Sequence, residues 1–429
     1  MVALAALFLT LTLGQDRNLF KVVPSPTGRN GYEEYVQAAI ILSRPENRAL
    51  ENYVRSAESR GAWQADRPAS IPEGTNLLQA YRIEQRALAP AIRLIQAGNQ
   101  KQVVYPSSHI SVVTLFPELS YFKVAARMMR RNAFIAFADG NPTAGTQAIL
   151  DGLIFSKKIA VGSAIHFLVS GACEQIMFGA VEEHLGGFSL RDVDQIQSWA
   201  ESATSAPSGL AVTAETERKS IHDSVVDLLS DPTDLLDVVD IKDEDRPNFV
   251  KNVKAIPSAR REVIYNTFFK RLEWPWDAVL LRLQGPEKTW LDPIEVDASP
   301  DEPAGLGNLG ATEGQASVAI LQLMSLLGAG DDQVLGMVPD AARSRIQERL
   351  VGIYAGVLRS KWLNGKLPGT LREAFGTEPL DPATGEAYAY ELQVGGGFRI
   401  VCPTKRLGEV DLVYSSAKAG GDEGPVPPK

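Results

Sequence analysis

Apolar residues recur every three or four positions, rather than alternately, through most of the first 285 residues, which predicts a mainly α-helical chain. Tyr32, Tyr35, Val36, Ala39 and Ile40 form one stripe; Leu50, Tyr53, Val54 and Ala57 form the next, with Pro45 suited to a first helical turn. A long helix is expected from Thr75 to Ala97, turning Leu77, Leu78, Tyr81, Leu88, Ile92 and Ile95 inward and kinking at Pro90. Between Leu115 and Leu185 the helical pattern is cut at Asp139-Gly140-Asn141-Pro142 and at Val161-Gly162-Ser163, short breakers that predict packed antiparallel helices. From Ser189 to Ala203 runs an amphipathic helix with a Ser N-cap and Asp192 in its first turn. Further helices are expected from Ala211 to Leu229 and from Ser258 to Leu283, the second interrupted by Pro275.

These patterns divide the chain. A helical domain covers 30–285, a Pro-, Asp- and Gly-rich linker 286–314, and a C-terminal helical region 315–415 that ends in a small antiparallel β-sheet. Within the last part, helices are expected near Gln315 to Leu327 and from Ala341 to Leu363, with Val334 to Val338 a candidate strand between them. Strands follow at Tyr388 to Val394, Phe398 to Val401 and Val410 to Tyr414, and residues 416–429 read as a disordered tail.

Two stretches resemble known families. Ala125 to Ile159 places small residues (Ala126, Ala133, Ala138, Ala144, Ala148) around a Gly-Asn-Pro turn and resembles a tetratricopeptide-like helical pair. An irregular bundle with Ala-rich packing is the other reading, so the expected architecture is an irregular or tetratricopeptide-like antiparallel helical array. At the carboxyl end, Leu367-Pro368, Pro379, Asp381-Pro382, Gly385, Tyr388 and Tyr390 resemble the C-terminal portion of type II secretion pseudopilins. Physically this is a turn stack: the prolines preset φ, Asp381 bonds its own backbone, Gly385 supplies a positive φ and the tyrosines start a strand. The ending, joined to a helical N-terminal part, also resembles uncharacterised bacterial exported proteins, and that resemblance implies export without implying a reaction.

The amino terminus agrees with export. Val2 to Leu13 is an uncharged run whose helix would extend about 18 Å, short of a roughly 30 Å hydrocarbon core. Residues 1–14 therefore read as a signal-like segment with small residues before Gln15, which places the chain in the periplasm or near a membrane.

Composition narrows the chemistry. The 429 residues are 45% hydrophobic and 22% charged, enough to bury a core without staples, and the net charge of −9 argues against nucleic acid as a partner. Two distant cysteines, Cys173 and Cys402, offer no thiolate zinc site. No metal and no cofactor is expected. Gly305-Leu306-Gly307-Asn308-Leu309-Gly310 matches a dinucleotide fingerprint, but the residues before it make no buried strand, and a linker explains the glycines. Of four histidines, His109 and His166 are the candidates for a general base, with Ser107 or Ser108 beside His109. A histidine on an apolar helical face, as at His166, is more often a satisfied core or interface histidine than a ligand or base. Asp223, Asp227, Asp231 and Asp234 fall close to one helical face and read as solvated. Lys123, Arg127, Arg130 and Arg131 form a basic face read as a surface or partner contact. Trp274, Trp276 and Trp290, with Tyr265, Phe268 and Phe269, either pack a junction or present an aromatic binding platform. The expected function is an exported or envelope-associated helical scaffold that binds another envelope protein; the alternative is an extracytoplasmic hydrolase with a site assembled across the fold.

Overall fold

The computed structural model describes residues 27–60, 66–107, 110–111, 114, 116–236, 242–292, 334–394, 397–404, 407 and 411–414. The signal-like segment, the Gly305 to Gly310 string, the helix expected near Gln315, Ser108, His109 and the tail all lie outside these residues. The described chain is mainly α with a small antiparallel sheet.

Its helices are α1 (Gly31–Leu42), α2 (Pro45–Arg60), α3 (Leu77–Asn99), α4 (Leu119–Ala138), α5 (Pro142–Lys158), α6 (Ala164–His184), α7 (Leu190–Ser205), α8 (Gly209–Ser230), α9 (Arg246–Ala255), α10 (Ser258–Gln284), α11 (Met337–Asn364) and α12 (Leu371–Phe375). Side chains start many of them. Asn30 accepts from the Tyr32 N–H and is itself tied to Val104, so the first helix is pinned to a segment 74 positions away. Asn76 with Gln79 and Ser189 with Asp192 form reciprocal capping boxes. At the α4–α5 breaker, Gly140 adopts φ 71°, Asn141 accepts from the Ala144 N–H and Pro142 occupies the first turn.

The array is antiparallel at its centre. α4 packs on α3, α5 and α6; α1 lies against α3; α8 joins α6 to α10; and α11 runs along α7 while also touching α6 and α8. α1 and α3 approach closely because Gly31 and Gly98 face each other: a Cβ on Gly98 would lie 2.8 Å from the Gly31 carbonyl oxygen. One hydrophobic core joins Tyr32 and Tyr35 of α1 to Phe122 of α4, Phe155 of α5, Tyr354 of α11 and Phe398 of the sheet. A smaller cluster, Leu50, Tyr53, Val54, Ile71, Ala80, Tyr81 and Ile135, closes the α2–α3 end. The C-terminal helix and sheet thus share the core of the helical region.

The sheet has the order β1 (Ala389–Gln393), β2 (Gly397–Val401), β3 (Asp411–Tyr414), antiparallel throughout, with Tyr390 opposite Ile400 and Ile400 opposite Leu412. Ahead of it the turn stack forms as its chemistry demands. Buried Asp381 accepts from the Ala383 N–H and from the Thr384 and Thr404 hydroxyls; Gly385 takes φ 72°; and Tyr390 donates to the Pro368 carbonyl at 2.9 Å.

Two local expectations need correction. Val334 to Val338 is no strand: Val334 and Leu335 are helical and Met337 opens α11, because Val334, Met337, Val338, Ala341 and Ala342 fall at helical spacing and all are buried. Pro275 does not interrupt α10, which runs unbroken from Ser258 to Gln284. The proline forfeits one backbone hydrogen bond, and burial of Trp276, Val279 and Leu280 on the inward face offsets it.

Candidate functional site

A recess of about 510 Å³ lies where α5, α6, α7, α8 and α11 meet. α6 supplies one wall through Phe167, Leu168, Gly171 and Glu174, which lie on one face at helical spacing. Trp199 of α7 and Val212 of α8 complete the apolar side. Gly171 leaves open space, since a Cβ there would meet nothing within 4 Å.

Charged residues also line the recess. Glu174 and Glu348 are 5% and 2% exposed. The Ser344 hydroxyl donates to Glu174 Oε2, and Lys157 Nζ donates to Glu348 Oε1. Lys157 also donates to the Ala203 carbonyl at 3.1 Å, while the Arg345 guanidinium donates to Ala203 and Ala206 at 2.5 and 2.7 Å, closing the C-terminal end of α7. Arg345 Nη1 stands 3.5 Å from Glu348 Oε2, an atom that makes no hydrogen bond among the described residues. Burial, reinforced by the neighbouring Glu348 charge, pushes the Glu174 carboxyl up to about 7, against the pull of Ser344, Lys157 and Arg345. Among the described residues no cation lies within ion-pair distance of Glu174. The arrangement can bind a partly apolar group, and it can give or accept a proton at Glu174.

The residues singled out from the sequence lie elsewhere. His166 is fully buried in an aromatic box of Tyr32, Tyr105 and Phe116. The Ser163 N–H donates to its Nδ1 at 3.1 Å, so the ring proton sits on Nε2 and meets the Tyr32 oxygen at 2.8 Å; Tyr32 in turn donates to Glu118 Oε1 at 2.7 Å. Burial brings the imidazole down to about 3 and pushes Glu118 up to about 7. The ring is neutral and enclosed, with both nitrogens engaged, so no substrate proton reaches it.

Trp276 and Trp290 are 3% and 6% exposed and Trp274 is half-buried, so these three do not form an exposed platform. Trp290 donates to the Gly285 carbonyl at 3.2 Å, and it joins Trp276 in the main core. The side chains of Phe268 and Phe269 lie outside the described set.

The basic face on α4 is a correction. Arg131 is buried between Glu58 and Glu84, Arg127 reaches Glu51 at 3.1 Å, and Arg130 pairs with Glu183. These three arginines are met by acids of α2, α3 and α6, whereas Lys123 is exposed. Past the end of α8, Asp231 caps the turn that follows, accepting from the Thr233 N–H, and pairs with Lys254 at 2.7 Å. Cys173 and Cys402 are buried free thiols.

Sequence reasoning missed Glu174, Ser344, Arg345 and Glu348. A signal existed: Glu174 lies at an inward position between Cys173 and Met177, and a carboxylate there demands a reason. No protein-family model matches the chain, and no curated protein or solved structure is significantly similar to it.

Proposed function

We propose that this chain is an exported, envelope-associated helical scaffold that holds a segment of another protein in the recess between α6, α7, α8 and α11. One observation carries the reading: a largely apolar recess of about 510 Å³, lined by Phe167, Leu168, Trp199 and Val212, opens between these helices. The uncharged run at Val2 to Leu13 and the turn stack at Pro379 to Tyr390 support the envelope location.

The test is photo-crosslinking in native cells. A photoreactive residue at Val212, exposed on the recess wall, is expected to trap a defined envelope protein, whereas one at exposed Val263 on α10 is not. Adding Gly171→Phe, which fills the open space, should abolish the Val212 adduct. Equal trapping at both sites, or an adduct indifferent to Gly171→Phe, would remove the recess as the binding site. N-terminal sequencing of the native protein is expected to begin near Gln15; a retained Met1 in the cytosol contradicts the location.

One observation favours the hydrolase reading: Glu174, pushed up to about 7 in an accessible recess, has the poise of a general acid or base. Turnover of chromogenic esters, glycosides or phosphoesters that disappears in Glu174→Gln would establish it.

A further inference from the structure

Ser344 and Glu174 meet in the recess from different helices: the hydroxyl, on α11, donates to Glu174 Oε2 on α6, and both residues line the cavity. That hydroxyl is aimed across the helix interface and not back at its own main chain, where Ser156 spends its proton on the Gly152 carbonyl. Ser344 is half-buried and Glu174 is 5% exposed. Other serines that meet a base or an acid are set differently. Ser163 faces His166 at 3.2 Å, but both are buried beside the aromatic box, and Ser189 with Asp192 is committed to capping α7.

A hydroxyl becomes a nucleophile when a neighbouring base takes its proton, and the base works best with a pKa near the working pH. Glu174 meets both conditions. It lies within hydrogen-bond reach of Ser344 Oγ, and burial together with the Glu348 charge raises it to about 7. The groups that act on it come from α11, as Glu348, Arg345 and the Ser344 hydroxyl, and from α5, as Lys157. Lys158, Asp340 and Arg343 also line the recess. The positive charges of Lys157 and Arg345 favour the ionised form of Glu174, so they set a favourable potential beside the oxygen on which negative charge develops.

We propose that Ser344 is a nucleophile for carboxylic esters, with Glu174 as its base and the acyl chain against Phe167, Leu168 and Val212. The inference rests on the hydrolase reading and names its nucleophile and its substrate class. Ser344 Oγ attacks the carbonyl carbon while Glu174 takes the hydroxyl proton; the ester C–O bond then breaks, and that proton passes to the departing alkoxide. Water, giving a proton to the same carboxylate, attacks the acyl-serine, and the proton returns to Ser344 as the carboxylic acid leaves. Lys157, Lys158, Arg343 and Arg345 each already donate to Glu348 or to a main-chain carbonyl, so recognition falls to the apolar wall and suits a neutral ester.

The test is labelling of the full chain with an alkyl fluorophosphonate, followed by peptide mapping by mass spectrometry. The serine oxygen replaces fluoride on phosphorus, and the hydroxyl proton goes to Glu174. An adduct is expected on Ser344, at a rate that rises about tenfold from roughly pH 6 to 8 as Glu174 ionises. Glu174→Gln should slow it about 100-fold and flatten that profile. Gly171→Phe, which leaves Ser344 and Glu174 in place, should block it, and p-nitrophenyl butyrate should be hydrolysed by wild type but not by Ser344→Ala. No adduct on Ser344 in wild type overturns the inference whatever the variants do, and so does a rate and pH profile unchanged in Glu174→Gln. Turnover of a glycoside or phosphoester that is lost in Glu174→Gln and kept in Ser344→Ala would sink the nucleophile and keep the hydrolase. The scaffold reading stands or falls separately, on the Val212 adduct.

Discussion

Tyr32 satisfies two buried groups at once, accepting a hydrogen bond from His166 Nε2–H and donating one to Glu118. Tyr32→Phe strands both, and the expected loss is about 2–3 kcal/mol of unfolding free energy, read from urea denaturation. A loss under about 0.5 kcal/mol would mean that the network contributes nothing. The same network sets a pH dependence. Burial raises Glu118 from its ordinary range to about 7, so between roughly pH 4.5 and 7 the folded state binds more protons than the unfolded one. Stability from this group is therefore greatest below pH 4.5 and falls as pH rises through 7, by up to roughly 3 kcal/mol. Glu118→Gln keeps an acceptor for Tyr32 and removes the charge. The expected outcome is a flatter stability profile from pH 4.5 to 7 than in wild type, and an unchanged slope contradicts the assignment. Glu217 follows the same sign, since burial raises it to about 7 against the pull of the Ala164 N–H.

Helix packing separates glycines that matter from glycines that do not. Gly98 has the Gly31 carbonyl and the Tyr35 ring inside the space of a Cβ, whereas Gly171 faces open volume. Gly98→Ala should cost about 1–3 kcal/mol by forcing α1 from α3, and Gly171→Ala should gain up to about 1 kcal/mol of helix propensity. Thermal melts that move in the same direction for both would contradict this geometry. The element bounds were legible because the punctuation is chemical: Pro45, Asn141-Pro142 and Ser189 with Asp192 begin helices where the residue types require it. Pro275 misled because burial of the residues beyond it outweighs one lost hydrogen bond. The basic face misled for a different reason. Spacing puts Arg127, Arg130 and Arg131 side by side, but their acids arrive from 47 to 76 positions away, which no local pattern reveals. The recess was illegible on the same ground, since Lys157 and Glu348 meet across 191 positions.

At the scale of the molecule, α7 and α11 behave as one slab. Ala200 and Ala203 of α7 are buried with Leu350 and Val351 of α11, and Gly352 brings the helices close enough that a Cβ there would lie 3.0 Å from the Ala200 Cβ. Amides of the two helices are expected to exchange with deuterium at similar, slow rates, because opening one exposes the other. Fast exchange in α11 beside a protected α7 would show instead that the C-terminal helix is a detachable addition. The closing of α7 by Arg345 carries a further consequence, one of timing. The guanidinium that ends this helix belongs to a residue 142 positions later than the carbonyl it caps, and Ser344 and Glu348 arrive with it. A growing chain that has delivered everything through α10 still lacks the α11 wall of its recess, and with it Ser344, Arg345 and Glu348. Synthesis order thus acts as a clock: the recess is walled in only when the last quarter of the polypeptide docks, and products truncated before α11 are born without that wall.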